Sequence, residues 1–209
     1  MAKKTNPANN NKGLLYSFFR IRELPLLLII ILIMVALSLV SPAFFSKPNF
    51  LSLARGFAIE GTTLIAMTML LVSGVFDLSV GSIMALSGVV CSMLMVADVP
   101  LPLAIMGGLL VGVFSGTFNA FIITRFNISP FIVTFAMLSI ARSVAQALTQ
   151  SNPIRVNSNV FSFMGTGLVG GIPFGFIIVI VLAILTDFAM RKVRFFRQLY
   201  FLGDRKSVV

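Results

Sequence analysis

The sequence contains no histidine, no tryptophan and a single cysteine, Cys91. Without histidine, a Cys/His zinc site and a histidine-based catalytic triad are both excluded. One cysteine cannot form a disulfide within the chain. There is also no GxxxxGK[ST] pattern, and therefore no P-loop that could bind a nucleotide. We predict no catalytic residue, no metal site and no cofactor on this chain.

Charged residues are also scarce. Only 11% of the 209 residues are charged, whereas 58% are apolar and the mean hydropathy is +1.04. Because a soluble domain is about 25% charged, this composition excludes a disordered protein and argues against a soluble enzyme. The apolar runs are long and uninterrupted, unlike the alternating strands of about ten residues that form membrane barrels. The composition predicts an all-α integral membrane protein.

Six apolar segments have the length of about 17–25 residues that a bilayer core requires. The first segment resembles the apolar core of a signal peptide, but it is longer than such cores, and Pro42 disfavours cleavage after it. We therefore predict that it is retained as a transmembrane helix. The six predicted spans are Leu24–Val40, Gly56–Val72, Ser79–Ala97, Leu101–Ile123, Pro130–Gln150 and Leu168–Met190.

The distribution of basic residues predicts the orientation. If the N-terminus is cytoplasmic, all but four of the 16 Lys and Arg residues lie in cytoplasmic segments, as the positive-inside rule requires. The net charge of +10 therefore indicates topology in a lipid bilayer rather than a nucleic-acid partner. We predict a multi-pass protein of the bacterial inner membrane with both termini cytoplasmic. Its parts are a basic tail (1–23), a transmembrane domain (24–190) and a second basic cytoplasmic segment (191–209), with the connector Ser151–Gly167 outside.

A polar stretch between the second and third spans, from Ser73 to Ser82, interrupts the apolar sequence. Non-helical backbone at membrane depth must be buried in protein or line an aqueous path. Asp77 stands just before the third span and is expected to cap it by accepting the N–H groups of Ser79 and Val80. The same carboxylate is also a candidate for the solute path, because acidic groups within membranes are functional candidates.

Glu60 is the second acidic residue near a span. It is expected either at the outer interface, with Arg55 near it, or along a polar path. Asn119, near the cytoplasmic end of the fourth span, is expected to hydrogen-bond another helix. The same span has small residues every fourth position, which allow a second backbone to approach, within the subunit or at a subunit interface. This ladder comprises Gly108, Gly112 and Gly116.

Four stretches of the sequence match the motifs of a known family. Residues 67–82 are similar to "MT…GGIDLSVGS", 116–125 to "GxxNGxxxTx", 130–142 to "PFIVTLGT…IARG", and 194–204 to "TxFGRxxYAIGGN". In these motifs the chain resembles the permease subunit of bacterial ABC importers for simple sugars, of the ribose, xylose and galactose type. The resemblance covers about residues 25–209, and the first and third motifs are specific in their order and spacing.

The resemblance implies a permease that moves a monosaccharide inward, and hence a transporter subunit rather than an enzyme. A second permease chain, the same or different, would share the translocation path. ATP would bind to a separate cytoplasmic ATP-binding subunit, and a periplasmic or lipid-anchored binding protein would deliver the sugar. Position and polarity make Asp77, Ser79, Asn119 and Glu60 candidates for the path, and the resemblance makes Arg197, Tyr200 and Gly203 candidates for ATPase coupling.

The chain departs from the family at four glycine positions, which hold Val75, Ala120, Phe196 and Asp204. The last two are expected to crowd a turn that normally has no side chain, and so to alter the coupling segment.

The chain matches about the first two thirds of a family member. We therefore expect a gene fragment, a split permease or a deliberately shortened chain. The alternative function is a permease fragment with no independent transport activity. A small channel or a proton-coupled carrier that uses Glu60 and Asp77 is the third, least favoured hypothesis.

Overall fold

The computed structural model describes residues 24–205, so the predicted tail 1–23 and the last four residues lie outside the described part. This part is largely helical, which confirms the all-α prediction. Its elements are α1 (Leu24–Val40), α2 (Lys47–Val72), α3 (Val80–Val96), α4 (Leu101–Phe126), α5 (Pro130–Thr149), α6 (Asn159–Thr166), β1 (Leu168–Val169), β2 (Ile172–Pro173), α7 (Phe174–Lys192) and α8 (Arg194–Arg205).

Four of the described helices, α2, α4, α5 and α7, are long and apolar enough to cross a membrane. The remaining two apolar helices, α1 and α3, have 17 residues each. At a rise of 1.5 Å per residue, 17 residues reach about 26 Å, slightly less than a bilayer core of about 30 Å. Together these helices correspond to the six predicted spans.

The chain divides into two compact units, one ending at Ser52 and the other starting at Leu53. In the first unit, α1 is apolar along its whole length and has no buried residue. The entry to α2 is fixed locally, because the Asn49 side chain donates a hydrogen bond to the Phe44 carbonyl at 2.7 Å.

In the second unit, α3, α4 and α5 form the best-packed region. Small residues make this close packing possible, since Ala104 on α4 and Ala141 on α5 are almost fully buried. A Cβ atom on Gly108 would lie 2.8 Å from the Ser87 carbonyl oxygen, so glycine lets α4 approach the backbone of α3. The large apolar side chains of these helices point mainly outward, as expected of helices that face lipid.

The prediction of a sixth span from Leu168 to Met190 is wrong in its first turn and a half. Residues 168–173 form the hairpin β1–β2, in which Leu168 pairs with Pro173, and α7 starts only at Phe174. Gly170 and Gly171 have φ values of 60° and 84°, which favour glycine and suit a two-residue hairpin turn.

Three further features differ from the prediction. Helix α2 begins at Lys47 rather than Gly56. The connector predicted as a loop contains α6, whose N-cap Ser158 accepts a hydrogen bond from the Phe161 N–H at 3.3 Å. The turn expected at Phe196 and Asp204 is absent, because both lie within the continuous helix α8.

Candidate functional site

The predicted break lies between α2 and α3, where residues 73–79 leave the helical conformation. Gly74 adopts a φ of 73°, a value that favours glycine. Its N–H donates to the Leu71 carbonyl at 2.9 Å, and the Val75 N–H donates to the Leu70 carbonyl at 3.1 Å. These bonds end α2 as a glycine C-cap does. The chain can thus turn within a hydrophobic sequence without leaving these carbonyls unpaired.

Asp77 organises the second half of the break. Its Oδ1 accepts hydrogen bonds from the Ser79 backbone N–H at 2.7 Å and from the Ser79 hydroxyl at 2.6 Å. The second donor is therefore the Ser79 side chain, whereas the sequence predicts the Val80 N–H. Among residues 24–203, whose side chains the structure describes, no donor is hydrogen-bonded to Oδ2.

Asn119 on α4 extends this polar network across the helix packing. Its amide nitrogen donates to the Ser79 hydroxyl oxygen at 3.1 Å, and both residues are almost completely buried. The hydroxyl of Ser79 thus accepts from an amide while it donates to a carboxylate, an arrangement in which each bond polarises the next. The Oδ1 atom of Asn119 is buried without a hydrogen-bond donor in the described part of the chain.

A groove of about 680 Å³ between α2, α3 and α4 brings Asp77 and the glycine ladder together. Along this groove the three glycines differ. Gly108 is in tight contact with Ser87, Gly112 would place a Cβ 3.6 Å from the Ser87 hydroxyl, and Gly116 has open space around it. Small residues therefore pack one end of the ladder, while at the other they leave the groove open beside Asp77.

Glu60 lies apart from this network. Its side chain is exposed on α2, it does not line the groove, and the described residues provide no hydrogen bond to it. Arg55, expected near it, instead donates to the Thr166 carbonyl at 3.2 Å. The structure thus brings together Asp77, Ser79 and Asn119 but not Glu60.

The three coupling candidates lie on α8. Arg197 is exposed, and Tyr200 lines a cavity of about 200 Å³ with residues of α2 and α7. Gly203 contacts the backbone of α2, because a Cβ at this position would collide with the Val72 carbonyl oxygen. Sequence reasoning missed this contact with the end of α2, since the family motif marks the glycine but not its neighbour.

Among the side chains that the structure describes, those of residues 24–203, no cluster of His, Cys, Asp and Glu could hold a metal ion. The polar network joins a carboxylate, a hydroxyl and an amide by hydrogen bonds, and its carboxylate residue, Asp77, lines the groove.

Comparison with known proteins identifies the family. The family described as the permease component of branched-chain amino acid transport systems matches residues 49–209. The ribose import permease protein of Haemophilus influenzae is 28% identical over 90% of this chain and 59% of its own length. The L-arabinose permease protein of Azospirillum brasilense is 31% identical, over 85% of this chain and 52% of its own length. The galactofuranose transporter permease protein of Escherichia coli is 30% identical over 81% of this chain and 52% of its own length.

The chain thus spans little more than half the length of these curated relatives. No solved structure matches the chain significantly. The relatives are transporter permeases rather than enzymes, and they confirm the resemblance to sugar-importer permeases. The family match covers most of the chain, and several described helices are long and apolar enough to cross a membrane. This is therefore a multi-pass protein of the bacterial inner membrane, and it belongs to the family described as the permease component of branched-chain amino acid transport systems.

Proposed function

We propose that the chain forms the membrane path of an ATP-driven importer for a monosaccharide, together with a second permease chain. ATP would bind to a separate cytoplasmic ATP-binding subunit, and a periplasmic or lipid-anchored binding protein would deliver the sugar. Both chain termini would then be cytoplasmic, which places α8 beside the ATP-binding subunit.

One observation carries this proposal. At the break between α2 and α3, the Asp77 carboxylate is held by Ser79 through two hydrogen bonds and directs its second oxygen to no other described residue. It borders a groove that is otherwise mostly apolar. A fixed acceptor in an apolar groove suits a small solute that carries hydroxyl donors, because hydroxyl groups can donate to a carboxylate.

The relatives favour a sugar over an amino acid. The family description refers to branched-chain amino acids, whereas the named relatives import ribose, arabinose and galactofuranose. The individual relatives bear more directly on the substrate. Each is a single protein with a named sugar, and each matches most of this chain. The substrate class therefore rests on them.

The test is uptake into proteoliposomes that contain the chain, a second permease chain (another copy or a different polypeptide) and the cognate ATP-binding subunit, with the binding protein supplied. We expect ATP-dependent uptake of radiolabelled ribose, arabinose or galactofuranose, and none of leucine. Uptake of leucine alone would overturn the substrate class. Uptake by the chain without the ATP-binding subunit would overturn the dependence on ATP.

The coverage of the relatives supports a second candidate, a split or truncated permease part without transport of its own. The chain spans 52–59% of the three relatives described above. This candidate predicts that the chain assembles stably with a second permease polypeptide and transports only in its presence. Uptake with this chain as the single permease polypeptide would contradict it.

A further inference from the structure

A second cleft, of about 570 Å³, lies between α3, α5 and the segment that follows α5. Unlike the groove beside Asp77, it has many polar side chains in its walls. Its small apolar lining residues are Ala85, Gly88 and Ala145. The polar lining residues are Ser92, Arg142, Gln146, Thr149, Ser151 and Asn152.

Arg142 gives this cleft its character. It is the thirteenth residue of α5, a helix long and apolar enough to span the membrane, and a charge there is energetically expensive. Its side chain is exposed, and no acidic group or other hydrogen-bond acceptor among residues 24–203 pairs with its guanidinium group. Gln146 lies one helical turn further along the same face, and its side-chain amide also has no described partner. The Arg142 guanidinium and the Gln146 amide are thus neighbours in one cleft, and neither has a described hydrogen-bond partner.

The backbone after α5 closes one side of the cleft. Gln150 and Ser151 both have positive φ values, 51° and 59°, which are unfavourable for residues with side chains. The Ser151 N–H donates to the Gln146 carbonyl at 3.0 Å, and the Asn152 N–H donates to the Thr149 carbonyl at 2.9 Å. These bonds hold the turn so that residues 151–154 border the cleft instead of extending away from it.

The two cavities have one lining residue in common. Gly88 on α3 lines both the polar cleft and the groove that contains Asp77. A Cβ atom at Gly88 would have no other atom within 4 Å, so the space around this residue is open.

We propose that the polar cleft is an outer binding site for a neutral polyhydroxyl solute of monosaccharide size, which Arg142 and Gln146 hold by hydrogen bonds. The inference rests on the proposed function, which places this end of α5 at the outer face. The solute would leave the site past Gly88 and enter the groove beside Asp77.

The chemistry of the lining favours a polyhydroxyl ligand over an anion. A carboxylate or phosphate would be met by one cation, Arg142, whereas the amides and hydroxyls around it supply both donors and acceptors. A sugar hydroxyl donates and accepts at once, and so can pair with each of these groups. The small apolar lining residues can contact the C–H face of a sugar ring, and the volume lies in the range of small-molecule sites.

The test is thiol labelling of the full chain in nanodiscs, which needs neither ATP nor a partner. In a Cys91→Ser background, Ser92→Cys places a near-isosteric thiol in the cleft wall. Val144→Cys is the matched control, because Val144 lies on α5 but lines a separate apolar cleft. A charged thiol reagent should label Ser92→Cys and not Val144→Cys. Ribose at about ten times its dissociation constant should slow the labelling about tenfold by occupancy.

Arg142→Gln, added to Ser92→Cys, should keep the labelling but lose the protection by ribose, and Arg142→Lys should retain part of it. The proposal is overturned if Ser92→Cys is not labelled, if no monosaccharide protects it, or if inorganic phosphate or acetate protects it and sugars do not. Because these readouts are independent of transport, protection without ATP-driven uptake would refute the proposed function but not the site.

Discussion

At the scale of single residues, the Ser79 hydroxyl links two helices. It donates to Asp77 within the break and accepts from Asn119 on α4, and it is fully buried. Hydrogen bonds between membrane helices contribute about 0.6 kcal/mol on average. The value of this network therefore lies less in stability than in the position it gives to the carboxylate of Asp77.

A double-mutant cycle tests this link. We expect Ser79→Ala and Asn119→Ala to be non-additive, with a coupling energy of about 0.5–1 kcal/mol, because each substitution removes the same hydrogen bond. The measurement is unfolding of the purified chain by SDS in mixed micelles. Ser79→Ala and Thr124→Ala form the control pair, since Thr124 donates only to its own helix. Full additivity of the Ser79 and Asn119 variants would contradict the contact.

Gly88 yields a second prediction at this scale. Gly88→Leu should abolish ATP-dependent sugar uptake, because Gly88 lines both the cleft and the groove and a side chain here would block the proposed passage between them. The matched control is Gly81→Leu on the same helix. The space around Gly81 is equally open, but Gly81 lines neither the cleft nor the groove. Both variants are read out by uptake in the reconstituted importer and by the yield of folded protein. Equal uptake by both variants would argue against a passage at Gly88.

At the scale of elements, α8 contacts the end of α2 backbone to backbone, through a glycine. Gly203 lies against the Val72 carbonyl, directly before the break that positions Asp77. Overpacking of a close contact costs about 1–3 kcal/mol, whereas alanine in a helix is favoured over glycine by about 1 kcal/mol. The balance of the two effects is therefore measurable.

Gly203→Ala should detach α8 from α2. We expect trypsin to cleave after Arg197 several-fold faster than in the parent chain, because steric conflict exceeds the gain in helix propensity. Gly56→Ala is the control, since a Cβ there meets no other atom within 4 Å. Unchanged cleavage in Gly203→Ala would show that α8 does not depend on this contact.

The sequence predicted elements best where length and local signals agreed. For α5, the helix begins at Pro130 as predicted and ends at Thr149, one residue early. The hairpin after α6 was missed because apolar content outweighed Gly170 and Gly171, although a glycine pair between apolar residues is a recognised turn signal. The cleft around Arg142 could not be predicted, because two residues with side chains, Gln150 and Ser151, adopt the left-handed conformation that shapes it.

At the scale of the whole molecule, orientation in the membrane determines which cavity faces which compartment. The basic residues of the sequence predict that the α5–α6 connector lies outside and the α4–α5 turn inside. With this orientation the polar cleft would open outward, and α8 would lie on the cytoplasmic side.

Cysteine accessibility in intact cells tests this orientation. In a Cys91→Ser background, Asn157→Cys in the connector should react with a membrane-impermeant thiol reagent. Asn127→Cys in the α4–α5 turn should react only after the cells are permeabilised. The reverse pattern would invert the topology and place the Arg142 cleft on the cytoplasmic side.

The backbone contact between α8 and α2 also has a mechanical consequence. A side chain between two helices can change rotamer and absorb small displacements, but a glycine packed on a carbonyl group has no such freedom. We expect a displacement of α8 to be transmitted to Val72 with little loss. Only the short segment 73–76 separates Val72 from Asp77. Gly203 would therefore act as a rigid contact that transmits movement of α8 to the break beside Asp77.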